Sequence, residues 1–238
     1  VSVSYVKKVK LSEIWAMVRE ADLRLFLPVM LLHTVVFFFA DVFSFGMAYR
    51  WFNAPGMRFR ELMEVRGAPY VIQVGLSPLA EVLFPLYMWR VKRVPVAETM
   101  SSNIWTMIMD FAAIFSAITP AVLYNLYGEN LVPAIGPAWL AGCLAFWALF
   151  TGNILFWKTP PGRRAAERFR AGRTGERKSP GIKSSMGGAG SLLQTFGLAR
   201  WHHLLRSYLA RVVLLLSTLL SNYIALQALG MDPSLPMA

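Results

Sequence analysis

The sequence has little charge, a single cysteine and none of the common catalytic motifs. Charged residues make up 16% of its 238 residues, whereas soluble domains carry roughly 25%. Cys143 lies alone in an apolar run, which excludes an internal disulfide, and no CxxC or Cys/His cluster indicates a zinc site. The G-x-S-x-G, H-E-x-x-H and P-loop patterns are also missing. We therefore predict a protein that is not an enzyme and that uses no metal and no cofactor.

Long apolar stretches dominate what is present. Hydrophobic residues make up 56% of the chain, and the mean hydropathy is +0.47. A helix needs roughly 20 residues to cross the hydrocarbon of a bilayer. The candidate segments are residues 25–49, 71–89, 103–124, 131–157 and 212–229. The predicted fold is all-α, a polytopic integral membrane helical bundle with about five hydrophobic segments, one of them broken or re-entrant.

These segments divide the chain into four regions. Residues 1–24 have helical apolar spacing and are predicted to form an interfacial amphipathic helix, or equally a short helix packed on the rest of the protein. Residues 25–157 form a membrane domain with four hydrophobic segments. Residues 158–191 form a basic, flexible cytoplasmic loop, and residues 192–238 an amphipathic lead-in to the final transmembrane helix. The chain begins at Val1 rather than at methionine, which is compatible with its being part of a longer protein.

The net charge of +11 is concentrated in one loop. Residues 158–183 carry nine basic residues against Glu167 and Glu176. The basic residues are Lys158, Arg163, Arg164, Arg168, Arg170, Arg173, Arg177, Lys178 and Lys183. A basic loop between apolar spans indicates the cytoplasmic side of a membrane, and no aromatic or Gly-rich motif accompanies it that would favour nucleic acid. We expect a multi-pass protein of a bacterial-type inner (cytoplasmic) membrane that binds no nucleic acid.

The second segment, residues 71–89, contains Gly75, Pro78 and Pro85. Two prolines remove backbone donors and disturb a helix, so the segment is interpreted as a broken or re-entrant helix pair, with an ordinary kinked span as the alternative. The preceding residues 55–70 are polar and mixed in charge. They are interpreted as an interfacial piece that ends near Gly67.

The orientation of the first two segments stays open at this stage. A simple span at residues 71–89 would leave Arg50, Arg58, Arg60 and Arg66 outside, against the positive-inside rule. A re-entrant segment removes that conflict but places the basic N-terminal residues outside.

Ionisable residues inside apolar segments are the best candidates for a functional site, because each must be paired or solvated. We identify Glu81, Asp110 and Asp41 as candidate substrate-binding acids, with Arg90 and Arg50 as basic partners near the interface. The structural alternative is that each acid bonds across to a neighbouring helix and locks it in place.

Two stretches resemble a known family. AETMSSNIWTMIMDFAAIF, which follows LYMWRVKRVP, and the tail SYLARVVLLLSTLLSNYIALQALGMDPSLP are similar to the transmembrane region of lysylphosphatidylglycerol synthases and of their stand-alone flippase-like relatives. The similarity covers residues 30–125 and 205–236. The family's broken segment, basic turn and following aspartate correspond to Gly75 to Pro85, Arg90 to Arg93, and Asp110.

The resemblance implies a protein that handles a lipid or a lipid-linked substrate. The soluble aminoacyl-transferase domain of the synthases is absent, so lysyl transfer is not implied. The family also continues through a Pro/Gly-rich motif and further helices. Our function hypothesis is a lipid flippase-like or transporter-like protein whose partners are anionic lipid headgroups. The alternative is a non-catalytic accessory subunit that packs against other membrane protein subunits.

Overall fold

The computed structural model of the protein describes Arg19 and residues 21–128, 136–174 and 194–230, with side chains for all of these except 68–83, 168–174 and 194. This part of the chain is helical and contains no strand. The helices are α1 (Leu23–Phe52), α2 (Phe59–Lys92), α3 (Val96–Tyr127), α4 (Pro137–Phe156), α5 (Pro160–Thr174), α6 (Gln194–Leu198) and α7 (Trp201–Ala228).

Four of these helices are long and apolar enough to cross a membrane. They are α1, α3, α4 and α7, whose most apolar windows have mean hydropathies of 2.1, 1.7, 1.6 and 1.8. They overlap the first, third, fourth and fifth predicted segments. The all-α, polytopic membrane fold is therefore confirmed.

The helix α2 differs from the prediction in one respect and agrees with it in another. It is helical from Phe59 to Lys92, so residues 59–67, predicted to belong to a separate interfacial piece, continue into the second predicted segment. Yet α2 is not straight, because the Glu61 carboxylate near its start forms an ion pair with Lys92 at its end. In a straight helix those residues would lie ~46 Å apart, at 1.5 Å per residue.

The chain direction in α2 therefore reverses between Gly67 and Phe84, as a re-entrant segment requires. A second contact agrees with this, since the Tyr87 hydroxyl donates to Glu61 Oε1 at 2.9 Å. The sequence between the two positions contains Pro69 and Pro78, which cannot donate helical hydrogen bonds. We call residues 59–67 the first arm of α2 and residues 84–92 its second arm.

The structure divides into two compact units, one of residues Val1–Phe37 with Leu214–Ala238 and one of Phe38–Val213. In the first unit, the Asp22 amide donates to the Ala228 carbonyl at 2.8 Å. His33 Nδ1 lies 3.4 Å from the Ser217 hydroxyl. These contacts join the beginning of α1 to the end of α7.

In the second unit, both arms of α2 pack on α1. Leu62 of the first arm lies so close to Gly46 that a Cβ atom on the glycine would be 2.6 Å from Leu62 Cδ1. Phe84 of the second arm packs against Tyr49, with ring centroids 4.4 Å apart. The buried core here consists of Val42, Tyr49, Met57, Leu62, Phe84, Met88 and Val94. The small Gly46 thus allows the first arm to lie directly on α1.

A second core lies where α1 ends and α7 begins. It includes Ala48, Phe52, Trp105, Met109, Trp157, Ala166, Phe196 and Leu204. Ala166 belongs to α5, so residues 160–174, predicted to be part of a flexible loop, form a helix that packs on the protein. The glycine Gly197 of α6 sits against the Trp157 ring, where a Cβ atom would be 2.8 Å from Cε3. The predicted N-terminal helix and the loop centre at 175–193 lie outside the described residues.

The basic residues gather at this same end of the second unit. Phe52 at the end of α1 and His203 at the start of α7 have ring centroids 5.3 Å apart, and the two ends of α2 meet through Glu61 and Lys92. The basic residues of these ends are Arg50, Arg58, Arg60, Arg90, Lys92, Arg93, Arg200 and Arg206. With α2 folded back, these basic residues lie on one side, as the positive-inside rule requires of a membrane protein.

Candidate functional site: a charge cluster between membrane helices

Four charged side chains meet in the second unit, one from each of α1, α2, α3 and α7. Asp41 lies eleven residues before the end of α1 and Arg211 ten residues after the start of α7. At 1.5 Å per residue these positions are ~16 Å and ~15 Å along their helices. Both residues therefore lie well inside membrane-spanning helices rather than at the helix ends.

Asp41 is the centre of the cluster. Its Oδ2 accepts a hydrogen bond from Arg66 Nε at 3.0 Å, and its Oδ1 lies 3.2 Å from Arg211 Nη1. The Asp41 side chain is 4% exposed and that of Arg211 is 5% exposed. Two guanidinium groups at hydrogen-bonding distance offset the cost of burying the carboxylate.

Arg211 also reaches a second carboxylate. The same Nη1 atom lies 3.1 Å from Asp110 Oδ1, so one nitrogen is shared by two acids. The Asp110 side chain is 43% exposed, far more than that of Asp41. The cluster therefore has a closed side at Asp41 and an open side at Asp110.

A single aromatic ring lies beneath both arginines. Arg66 Cζ is 3.7 Å and Arg211 Cζ is 4.8 Å from the centroid of Phe45. Phe45 is one helical turn from Asp41 on α1, so the two side chains lie on the same face of the helix and contact the same neighbouring helices. The face of an aromatic ring attracts a cation, and Phe45 thus stabilises two guanidinium groups that would otherwise repel each other.

The cluster is neutral in total, with two arginines and two aspartates. Neutral pairing reduces the cost of burying charge, but hydrogen bonding is incomplete. Among the described residues, Arg211 Nε and Nη2 have no hydrogen-bond partner, and neither does Ser44 Oγ on α1. A buried donor without a partner is unfavourable. Arg211 therefore keeps two donors available for an acceptor.

Of the five predicted site residues, the structure brings two together. Asp41 and Asp110 share Arg211. Arg50 and Arg90 are exposed and lie outside the cluster. The side chain of Glu81 lies outside the described residues, so its predicted role stays a prediction.

Neither arginine of the cluster is among the predicted site residues. Arg66 falls in the predicted interfacial piece, and Arg211 in the predicted amphipathic lead-in to the last helix. Arg211 is detectable, since it interrupts the run LARVVLLL immediately before five apolar residues. The pairing of Arg66 is not, because it depends on α2 folding back along α1.

A separate ion pair closes the ends of α2. The hydrogen bond from Lys92 lowers the pKa of Glu61 below its ordinary value of 4.5; partial burial opposes this, and the hydrogen bond from Tyr87 assists it. The Glu61 carboxylate is therefore charged at neutral pH and holds the two arms together.

Comparison with protein-family models, with curated proteins and with solved structures finds no match for this chain.

Proposed function

We propose that this chain is a transporter-like or flippase-like membrane protein that handles an anionic lipid or lipid-linked substrate in a bacterial-type inner membrane. The observation that carries the proposal is Arg211. It lies inside a membrane-spanning helix, is 5% exposed, and keeps Nε and Nη2 without a partner in the described part of the chain. A phosphate group binds a guanidinium through two or more such donors.

Asp110 is the group that a substrate phosphate would replace on Arg211. It is the more exposed of the two acids that share Arg211 Nη1. A substrate phosphate that approaches from its side competes with Asp110 for the guanidinium, while Asp41 stays in place and holds the arginine in position. The substrate and Asp110 then bind Arg211 alternately, which is the behaviour expected of a site that passes its ligand on.

Two further features support the proposal. The resemblance to flippase-like proteins includes the aspartate at position 110 and the basic turn from Arg90 to Arg93. The fold-back of α2 provides a re-entrant element, which is tolerated at membrane depth where protein or a water-filled cavity surrounds it. Glu81 lies in the sequence of that element, and we retain it as a candidate substrate-binding residue.

The test is lipid translocation in proteoliposomes. Purified protein is reconstituted with fluorescent phosphatidylglycerol, and the fraction accessible to an impermeant quencher is followed in time. We expect Arg211→Gln to lower the rate at least tenfold, and the exposed control Arg60→Gln to leave it unchanged. Equal rates for wild type, Arg211→Gln and protein-free vesicles would contradict the proposal.

Asp110→Asn separates transport from structural locking. This variant keeps the buried Arg211–Asp41 pair, so it is expected to fold. If the cluster handles substrate, the rate per folded molecule changes while thermal stability is nearly unchanged. If the cluster only locks helices, stability falls and the rate per folded molecule is unaltered.

The second candidate function is an accessory subunit of a larger membrane complex. The observation that favours it is α4, which buries Cys143 alone among its residues and turns Trp139, Leu144 and Leu149 outward. Such a face packs against either lipid or another protein. Migration with stoichiometric partners in mild detergent would favour this function, and migration alone would favour the transporter.

A further inference from the structure

A groove at the basic end of the second unit is distinct from the charge cluster. It lies among α1, the start of α2 and α7, and has a volume of about 410 Å³. Two arginines, Arg50 and Arg206, line it together with apolar side chains that include Phe43, Met47 and Phe59. None of the described residues that line it is acidic.

Both arginines are available to a ligand. Neither Arg50 nor Arg206 forms an ion pair with any described carboxylate, and both are exposed. They come from different helices that are held side by side, since the rings of Trp51 and His203 stack with centroids 4.5 Å apart. Two available guanidinium groups on one groove favour a doubly hydrogen-bonded anion such as a phosphate.

The depth of the groove matches a lipid rather than a soluble anion. Arg50 is two residues from the end of α1 and Arg206 is five residues from the start of α7, which places them ~3 Å and ~8 Å along the helices from the basic end. Phe43 lies seven residues deeper on α1, or ~10 Å, and is 55% exposed. The groove thus runs from charged residues at headgroup level to apolar residues at acyl-chain level.

We propose that this groove binds one anionic phospholipid of the leaflet at the basic end, with its phosphate between Arg50 and Arg206 and an acyl chain along Phe43 and Met47. The site does not depend on transport through the charge cluster. A freely soluble phosphate would gain nothing from the apolar half of the groove, whereas a phospholipid uses both halves.

The experiment measures bound lipid on the full chain. Protein purified in mild detergent is titrated with dioleoylphosphatidylglycerol, dioleoylphosphatidylcholine or inorganic phosphate, and lipid-bound species are counted by native mass spectrometry. We expect one tightly bound phosphatidylglycerol and weak binding of phosphatidylcholine. Each basic residue at a membrane surface contributes about fivefold in affinity, so Arg50→Gln with Arg206→Gln should weaken phosphatidylglycerol binding about 30-fold.

Two control variants keep the result interpretable. Arg163→Gln with Arg164→Gln removes the same charge from exposed positions outside the groove and should bind as wild type does. Arg50→Lys with Arg206→Lys keeps the charge and should retain most of the affinity. This variant separates loss of charge from misfolding caused by changing these two positions. The proposal is overturned if the two glutamine variants lose affinity equally, if wild type binds both lipids alike, or if millimolar inorganic phosphate displaces the lipid. Because Arg211 is untouched in all variants, these outcomes are independent of the transport proposal.

Discussion

Asp41 and Arg211 lie 170 residues apart in the sequence and form an ion pair with 3.2 Å between Oδ1 and Nη1. Both side chains are almost fully buried. The pair joins the first membrane-spanning helix of the described chain to the last, at a depth where water is scarce. Loss of either partner leaves the four-residue cluster with an unbalanced buried charge, which destabilises the folded protein.

We expect Asp41→Asn to lower the free energy of unfolding by about 3–5 kcal/mol, the cost typical of breaking a buried ion pair. Arg66 and Arg211 would then face each other with Asp110 as their only carboxylate in the cluster. The matched control is Glu64→Gln, which removes an exposed partner of Arg60 and should change stability by less than about 1 kcal/mol. Thermal unfolding in detergent measures both variants. Equal stability of wild type and Asp41→Asn would contradict the assignment of a structural ion pair.

The fold-back of α2 predicts that both of its ends lie on one side of the membrane. Single cysteines at Arg60 and Arg90, in a Cys143→Ala background, should react with impermeant maleimide only after the cytoplasmic side is opened, as should a cysteine at Ser184. A cysteine at Tyr127, which ends α3 and is exposed, should react in intact cells. Labelling of positions 60 and 90 from opposite sides would instead mean that α2 is a simple span.

The Glu61–Lys92 pair should make the closure of α2 sensitive to acid. Because Lys92 lowers the pKa of Glu61 from its ordinary 4.5, folding is favoured by the charged carboxylate above that pH. The contribution is lost as the pH falls below 4.5 and through the lowered pKa. Hydrogen exchange of amides in residues 59–67, corrected for the intrinsic rate, should accelerate over this range. Glu61→Gln should remove the step, and an identical acid response in this variant would exclude Glu61 as its source.

Gly46 should tolerate no larger side chain without cost. A Cβ atom there would lie 2.6 Å from Leu62 Cδ1, and Leu62 is buried, so Gly46→Ala should destabilise the protein by about 1–2 kcal/mol through overpacking. Gly142 on α4 is the matched control, because a Cβ atom added to it would meet no other atom within 4 Å. Gly142→Ala should therefore be neutral or stabilising by up to about 1 kcal/mol.

Thermal unfolding of both glycine variants, and of Gly46→Ala combined with Leu62→Ala, measures the effect. The combined variant should lose less stability than the two single changes together, because the shortened side chain at position 62 makes room for the new methyl group. Strict additivity would show that the two side chains do not meet.

The membrane-spanning helices are predictable because each is a long apolar run. Such a run is recognised from its own sequence, without knowing which helices it packs against. Asp41 and Asp110 are predictable as candidate site residues because each interrupts such a run. Their arginine partners are not, because the pairing depends on which helices adjoin. Arg66 in particular meets Asp41 only after α2 has reversed its direction, and the prolines of that segment indicate a disturbance without specifying its form.

The helix α5 was not predicted, for a different reason. Its sequence is dominated by arginine, which suggests a solvated loop. Ala166 nevertheless provides a small apolar contact with Phe196 and Trp157, and arginine is itself a good helix former. Charge density alone therefore does not distinguish a flexible linker from a surface helix.

The reversal of α2 also determines whether the number of membrane crossings is odd or even. A segment that returns to its starting side adds nothing to the number of crossings, so within the described chain α1, α3, α4 and α7 alone determine it, and their number is even. An even number returns the chain to the side from which it set out. Asp22 and Ala228, which flank these four helices and are joined by a backbone hydrogen bond of 2.8 Å, therefore lie on the same side of the membrane.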